Sequence, residues 1–220
     1  YNQANVVVVG VGGGFSYGTN GPTHHGIDDI GVLSCLPAIT VWTPSDPNEV
    51  RLCVQAAAKL DNAAYLRLGR NKEPLLFGTL ENTPDISQPA IVSKGTDGVI
   101  ITSGFILHEV LKAADLLKQK AIHPTIIRIA TIRPFPTEYM RKIVASGTPV
   151  ITVEEHVATG GLGLETARVI AEEGKGNRFI MLTTPADFPD ACYDREALLV
   201  RSGIDAGSIF ASFQRIWQNG

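Results

Sequence analysis

Residues 18–29 read GTNGPTHHGIDD, with His24 and His25 side by side after a Gly-Pro turn and Asp28 and Asp29 four positions further on. Imidazoles accept, donate and shuttle protons near neutral pH. Six glycines lie between residues 12 and 26. Glycine permits positive φ and lets a ligand come close to the backbone. A second cluster, YLRLGRN, carries Arg67 and Arg70. Guanidinium groups grip phosphate and carboxylate oxygens through paired hydrogen bonds. Together the clusters fit a phosphorylated or carboxylated substrate with hydroxyl groups to hold. The plainer readings are a rigid turn with exposed histidines, and surface arginines pairing with the segment that follows.

Two further motifs are less specific. VEEHVATGGLGLE ends a strand in Glu154, Glu155 and His156 and opens a helix on glycines. Such a helix start can hold an anion, or the glycines can serve only strand-to-helix packing and an interface loop. RIATIRPFP reads as structural, with Arg133 free to pair with Glu154 or Glu155. No Ser-His-Asp order, CxxC pair, P-loop or HExxH occurs. No metal site is read, and no cofactor-binding residue is assigned.

The elements that must position these residues alternate between strand and helix. Residues 5–11 form an apolar strand bounded by glycines, and 12–26 form a loop. A helix over 28–36 starts on the aspartates, which suit its positive end. A strand follows at 39–43. SDPNEV announces the next helix, to about residue 60, with Asp46 as N-cap, Pro47 at the first position and Glu49 closing a capping box. A strand at 63–68 completes a partial doubly wound parallel sheet, since helices between strands imply βαβ units. A first domain thus spans 1–75, and a proline-bearing linker spans 76–90. A second α/β three-layer domain spans 91–220. Its strands lie at 98–102, 125–130, 150–153 and 179–182, and its helices at 108–119, 137–145, 164–173 and around Glu196 and Ile209. The strand NVVVVGV is apolar on both faces and so needs neighbours on both sides. Another segment or another chain must complete it.

Net charge is −3 with 19% charged and 44% hydrophobic residues. No basic footprint for nucleic acid or anionic membrane is present. No apolar run approaches the ~20 residues of a membrane span, and no leader sequence is visible. Cys35, Cys53 and Cys192 have no metal-ligand spacing and read as reduced packing residues of an intracellular, cytoplasmic protein.

GTNGPTHHGIDDIGVLSCLPAITVWTPSDPNEV closely resembles the later half of the pyrimidine-binding domain of transketolases and of 1-deoxy-D-xylulose-5-phosphate synthases. KGTDGVIITSG, TIRPFP, VEEHVATGGLG and GIDAGSIF resemble the transketolase C-terminal domain. The resemblance covers roughly residues 5–217. It implies a thiamine-diphosphate transferase moving a two-carbon ketol unit between sugar phosphates, with the cofactor and its Mg²⁺ held between subunits. It assigns substrate contact and catalysis to His24, beside His25, and phosphate binding to Arg70, with Arg67 second. Three departures stand out. Asn20 replaces the family's acidic residue four before His24, Gly12 and Gly13 replace a basic one, and the family's activating glutamate and ring-clamping aromatics fall before Tyr1. The chain therefore looks like the C-terminal subunit of a split transketolase, incomplete alone. The expected assembly is a homodimer completed to a heterotetramer by a diphosphate-binding N-terminal subunit. The alternatives are another thiamine-diphosphate carboligase of the 1-deoxyxylulose-5-phosphate-synthase kind, and a non-catalytic dimerisation module.

Overall fold

The computed structural model describes residues 4–71 and 73–218. Two sheets organise them. The first contains β1 (Val7–Val11), β2 (Thr40–Trp42) and β3 (Ala64–Leu68), joined through α1 (Asp29–Ser34) and α2 (Pro47–Ala57). β3 lies parallel between β1 and β2. α2 begins as its sequence requires: the Asp46 Oδ1 accepts from Glu49 N at 2.9 Å, and Pro47 fills the first position. Glu49 reaches back one residue further than a capping box would, accepting from Ser45 N at 2.6 Å.

The second sheet runs β4 (Ala90–Ser93), β6 (Thr125–Arg128), β5 (Val99–Thr102), β8 (Val150–Val157), β9 (Phe179–Thr184), with only β4 antiparallel. Successive side chains alternate between its faces. Ile100, Ile126 and Ile151 pack with α3 (Leu107–Lys118), α6 (Arg195–Ser202) and α7 (Ala206–Gln218). Ile101, Ile127 and Val150 pack with α4 (Thr137–Val144) and α5 (Leu162–Glu173). The result is three layers with an apolar core on each side of the sheet.

Several expectations change. The run expected as one strand over 125–130 breaks at Ile129 and Ala130, and β7 (Thr131–Arg133) leaves to pair antiparallel with β2 in the first sheet. Its partner is about 90 residues away in sequence, so a local apolar run cannot reveal the switch. The expected linker is strapped down. Asp46 Oδ2 accepts from Leu76 N and Phe77 N at 3.0 and 3.2 Å, Thr131 Oγ1 donates to Ile86 O at 2.6 Å, and the segment ends in β4. β8 continues through Glu154, Glu155 and His156, all buried. Arg133 is exposed and pairs with neither glutamate; their oxygens go to backbone N–H groups and to Arg195. Of the cysteines only Cys53 is buried; Cys35, just past the end of α1, and Cys192, in the segment before α6, are exposed.

A buried ion pair crosses between the two units: Arg128 Nε lies 2.7 Å from Glu49 Oε1, both side chains fully buried. β1 pairs with β3 alone among the described residues, and Val6, Val8, Val9 and Val11 are 47–56% exposed. Among the described residues, no helix is long and apolar enough to cross a membrane.

Candidate functional site

β1 and β3 run parallel, so the loop after β1 and the Arg70 segment after β3 leave the same rim of the sheet. Ligands of open α/β sheets bind along such rims. Gly12 N and Gly13 N donate to Leu68 O at 3.0 and 2.9 Å, tying the two exits together. Gly12 has φ +98°, and a Cβ there would lie 2.2 Å from the Tyr17 ring. A glycine is required on both counts.

The loop closes on itself at a neck. Gly14 N donates to Gly26 O at 2.7 Å, and Gly26 N returns to Gly14 O at 3.0 Å. Between them lie two short 3₁₀ turns, Gly18–Asn20 and Pro22–His24. His24 ends the second turn, exposed, with Nδ1 3.0 Å from Thr23 Oγ1. Its ring sits 6.4 Å from that of Tyr17, and the Arg70 guanidinium lies 5.0 Å from the centre of the same Tyr17 ring. Tyr17 thus links His24 to Arg70. Gly12, Tyr17, His24, His25, Asp29 and Tyr65 are among the lining of an open cleft of about 320 Å³.

The other sequence candidates occupy different environments. His25 is buried, packs edge-on against Phe15 at 5.2 Å and faces Gly18 O at 3.5 Å through Nε2. Its Nδ1 has no partner among the described residues. Asn20 is exposed and outside the cleft lining. Arg67 is buried and engaged: Nε donates to Asp29 Oδ2 at 2.9 Å, and a terminal nitrogen donates to Gly26 O and, at 3.0 Å, to Glu155 O. Tyr65 Oη also donates to Asp29, at 2.5 Å, and burial together with that carboxylate drives the phenol pKa well up. These groups form the floor on which the loop rests. Arg70 is exposed and lines an open cavity of about 520 Å³ with Arg51, Asn71 and Glu73. Arg51 is a second guanidinium on that cavity which the sequence does not single out, because it reads as an ordinary helix-surface residue.

The Glu-Glu-His motif faces inward, not toward solvent. Glu154 accepts from Leu162 N and Gly163 N, both at 2.8 Å, at the start of α5. Burial raises its carboxyl to about 7, against the lowering effect of those two bonds. Glu155 accepts from Phe15 N at 2.7 Å and from Arg195 at 3.1 and 2.7 Å. His156 Nδ1 donates to Val157 O at 2.7 Å, a bond that assigns the tautomer, and Nε2 accepts from Gly31 N at 3.2 Å. Burial, then the Arg67 charge, holds this imidazole below its usual pKa and keeps it neutral. Gly160 lets the turn approach α1: a Cβ there would lie 2.6 Å from Gly31 Cα.

Comparison with known proteins places these features in a family context. Residues 1–74 match the family model of the transketolase pyrimidine binding domain, and 88–209 that of the transketolase C-terminal domain. An apulose-4-phosphate transketolase subunit of Actinobacillus succinogenes is 34% identical over 95% of this chain and 67% of its own length. 1-Deoxy-D-xylulose-5-phosphate synthase 1 of Geobacter sulfurreducens is 32% identical over 94% of this chain and 32% of its own. A split gene transketolase, solved as an inactive beta4 tetramer, superposes with TM-score 0.86 at 26% identity, covering 99% of this chain and 69% of that one. The chain spans 55–67% of the length of the curated split-enzyme subunits and sections it matches.

Proposed function

We propose a function from one premise: this chain belongs to the transketolase family. It is the subunit of a split transketolase-like enzyme that carries the pyrimidine-binding and C-terminal domains. With thiamine diphosphate it transfers a two-carbon ketol unit between sugar phosphates in the cytoplasm. The observation that carries this reading is Tyr17, which lines the open cleft beside an exposed imidazole, His24, and has over its ring a guanidinium, Arg70, that lines a separate cavity. The two can be no further apart than Tyr17's two contact distances combined, a span on the scale of one sugar phosphate.

Thiamine diphosphate, when bound, supplies the carbanion chemistry of ketol transfer. The residues here fit one wall of such a site. Val11 gives the cleft an apolar surface for a ring, and His24 and Tyr17 border it. Among the described residues no three metal-ligating side chains converge. On this reading Mg²⁺ and the diphosphate are held by the partner subunit. The exposed edge of β1 supports association as a homodimer, completed by diphosphate-binding subunits to a heterotetramer.

Within this chain, Thr23 beside Nδ1 leaves His24 Nε2 to orient sugar hydroxyls and move a proton. Arg70 anchors the phosphate, with Arg51 on the same cavity. Arg67 and His25 serve the loop from beneath, and Asn20 stands at its outer turn, where an amide can meet a hydroxyl without adding charge.

The test is the native full-length protein reconstituted with its diphosphate-binding subunit, thiamine diphosphate and Mg²⁺. Pentulose phosphate consumption should appear and should fall roughly 10²-fold or more in His24→Ala, with thiamine diphosphate affinity nearly unchanged. Unchanged turnover in that variant removes His24 from the reaction. Carbon dioxide release from pyruvate, with no ketol transfer, would establish instead the synthase chemistry that Asn20 leaves open. Neither activity and no cofactor binding would leave a dimerisation module.

A further inference from the structure

We propose that Glu155 and His156, delivered by the C-terminal unit, are positioning residues for the histidine loop of the first unit. The inference rests on the reading that His24 meets the substrate, and it assigns a role to a motif that this reading does not otherwise use.

His24 has little of its own to hold it. Its side-chain polar contact is to the adjacent Thr23, its backbone N–H donates to Gly21 O at 3.0 Å, and its ring neighbour is Tyr17, all within the same loop. Its place is therefore inherited from where the loop's flanks are fixed. Beyond the Gly14–Gly26 neck, those flanks are gripped by three successive residues of β8. Glu155 takes the Phe15 N–H at 2.7 Å, Val157 N donates to Ile27 O at 2.8 Å, and His156 takes the Gly31 N–H at 3.2 Å. One strand of one unit thus sets both sides of a loop that belongs to the other.

The choice of Glu155 is informative. A buried carboxylate is costly unless paired and hydrogen-bonded, and an apolar side chain often packs as well at less cost. Here Arg195 supplies the charge, and Oε1 is shared between that guanidinium and the Phe15 amide. The loop has adapted to this carboxylate. Gly14 has φ +64°, and a Cβ there would lie 2.5 Å from the Glu155 carboxyl carbon. His156 is matched in the same way, since its neutral tautomer presents an acceptor to Gly31 and its donor to Val157 O. Arg67 adds a cross-tie by donating to Glu155 O and Gly26 O.

The experiment joins amide hydrogen exchange to steady-state kinetics of the reconstituted enzyme. In Glu155→Ala, exchange at the Phe15 amide should rise roughly 10-fold or more, as expected for loss of a bond to a charged acceptor. α7 amides should keep their protection. The value of kcat/KM should fall by about 10-fold or more from misplacement of His24, with thiamine diphosphate affinity unchanged. Glu155→Gln retains an oxygen that can accept the Phe15 N–H while its NH2 replaces the oxygen that accepts from Arg195 Nη2, and should restore part of both. A general structural role would open α7 along with the loop and would not distinguish Gln from Ala. Wild-type exchange at Phe15 in Glu155→Ala overturns the proposal, and so does an open Phe15 amide with unchanged kcat/KM. If Glu155→Ala does not fold, Gly14→Ala presses on the same contact from the loop side with the carboxylate intact. It should open Phe15 and lower kcat/KM, and wild-type behaviour of both there is equally fatal. Should the reconstituted wild type transfer no ketol unit, the proposed function falls, while exchange at Phe15 still decides whether Glu155 holds the loop.

Discussion

Breaking the buried Glu49–Arg128 pair from one side should be among the most damaging single changes at the junction of the two units. Arg128 is fully buried, 2.7 Å from Glu49, lies 5.9 Å over the Phe77 ring and donates to Pro84 O at 3.3 Å. It therefore touches the first unit and the connecting strap as well as its own strand. Burial raises the Glu49 carboxyl and lowers the Arg128 guanidinium, and each charge opposes the shift of the other. Glu49→Gln keeps the shape and an acceptor for Ser45 N, yet leaves a guanidinium buried without its counter-charge. Removing one partner of such a pair costs about 3–5 kcal/mol, a large share of the roughly 5–15 kcal/mol typical of a folded domain. Arg128→Met should cost a similar amount by stranding Glu49. The double variant should be closer to wild type than either single, because no charge is then stranded. Urea unfolding, followed by tryptophan fluorescence in a Trp217→Phe background that leaves Trp42 as the reporter and by far-UV circular dichroism, measures all three. Trp42 is buried in β2 and reports on the first sheet. Losses below about 1 kcal/mol in both single variants, the range of exposed ion pairs, would refute the reasoning.

Two more outcomes concern Glu154 and Arg70. Glu154 has its carboxyl raised to about 7 from an ordinary 4.5, so the folded state binds the proton more tightly than the unfolded one. Its contribution to stability is full below the unfolded value and is lost as pH rises from there through the folded one, at about 1.4 kcal/mol per pH unit. The difference in unfolding free energy between wild type and Glu154→Gln should fall by about 3 kcal/mol across that window, and a flat difference would rule the assignment out. Arg70→Ala should raise KM for a phosphorylated substrate by roughly 10- to 100-fold, the range for a hydrogen bond to a charged group. It should leave KM for the unphosphorylated sugar nearly unchanged, and equal effects on both would take Arg70 away from the phosphate.

What the sequence disclosed is what depends on neighbours along the chain. The Asp46-Pro47-Glu49 helix start, the apolar β1 and the glycine-rich histidine loop are set by local chemistry, and the structure contains all three. What it withheld depends on partners far away. Arg67 and Arg70 are the same residue type three positions apart, yet one is occupied by Asp29, Gly26 and Glu155 and the other is exposed. Only the fold distinguishes them. Glu155 meets Phe15 across 140 positions, so its motif resembled the end of a strand when it is the middle of one. Ile129 and Ala130 are apolar like the strand before them, and nothing local marks the place where the chain changes sheets.

That change of sheets sets an order of events during synthesis. β2 is complete at Trp42, but the strand that covers its far edge ends at Arg133. At roughly 5–20 residues per second, a ribosome needs about 5–20 s to make the intervening chain. During that interval the nascent first sheet has no neighbour for β2 on that side. Its closure is deferred until the second unit is well under way, so the two halves mature together, although each matches its own family model.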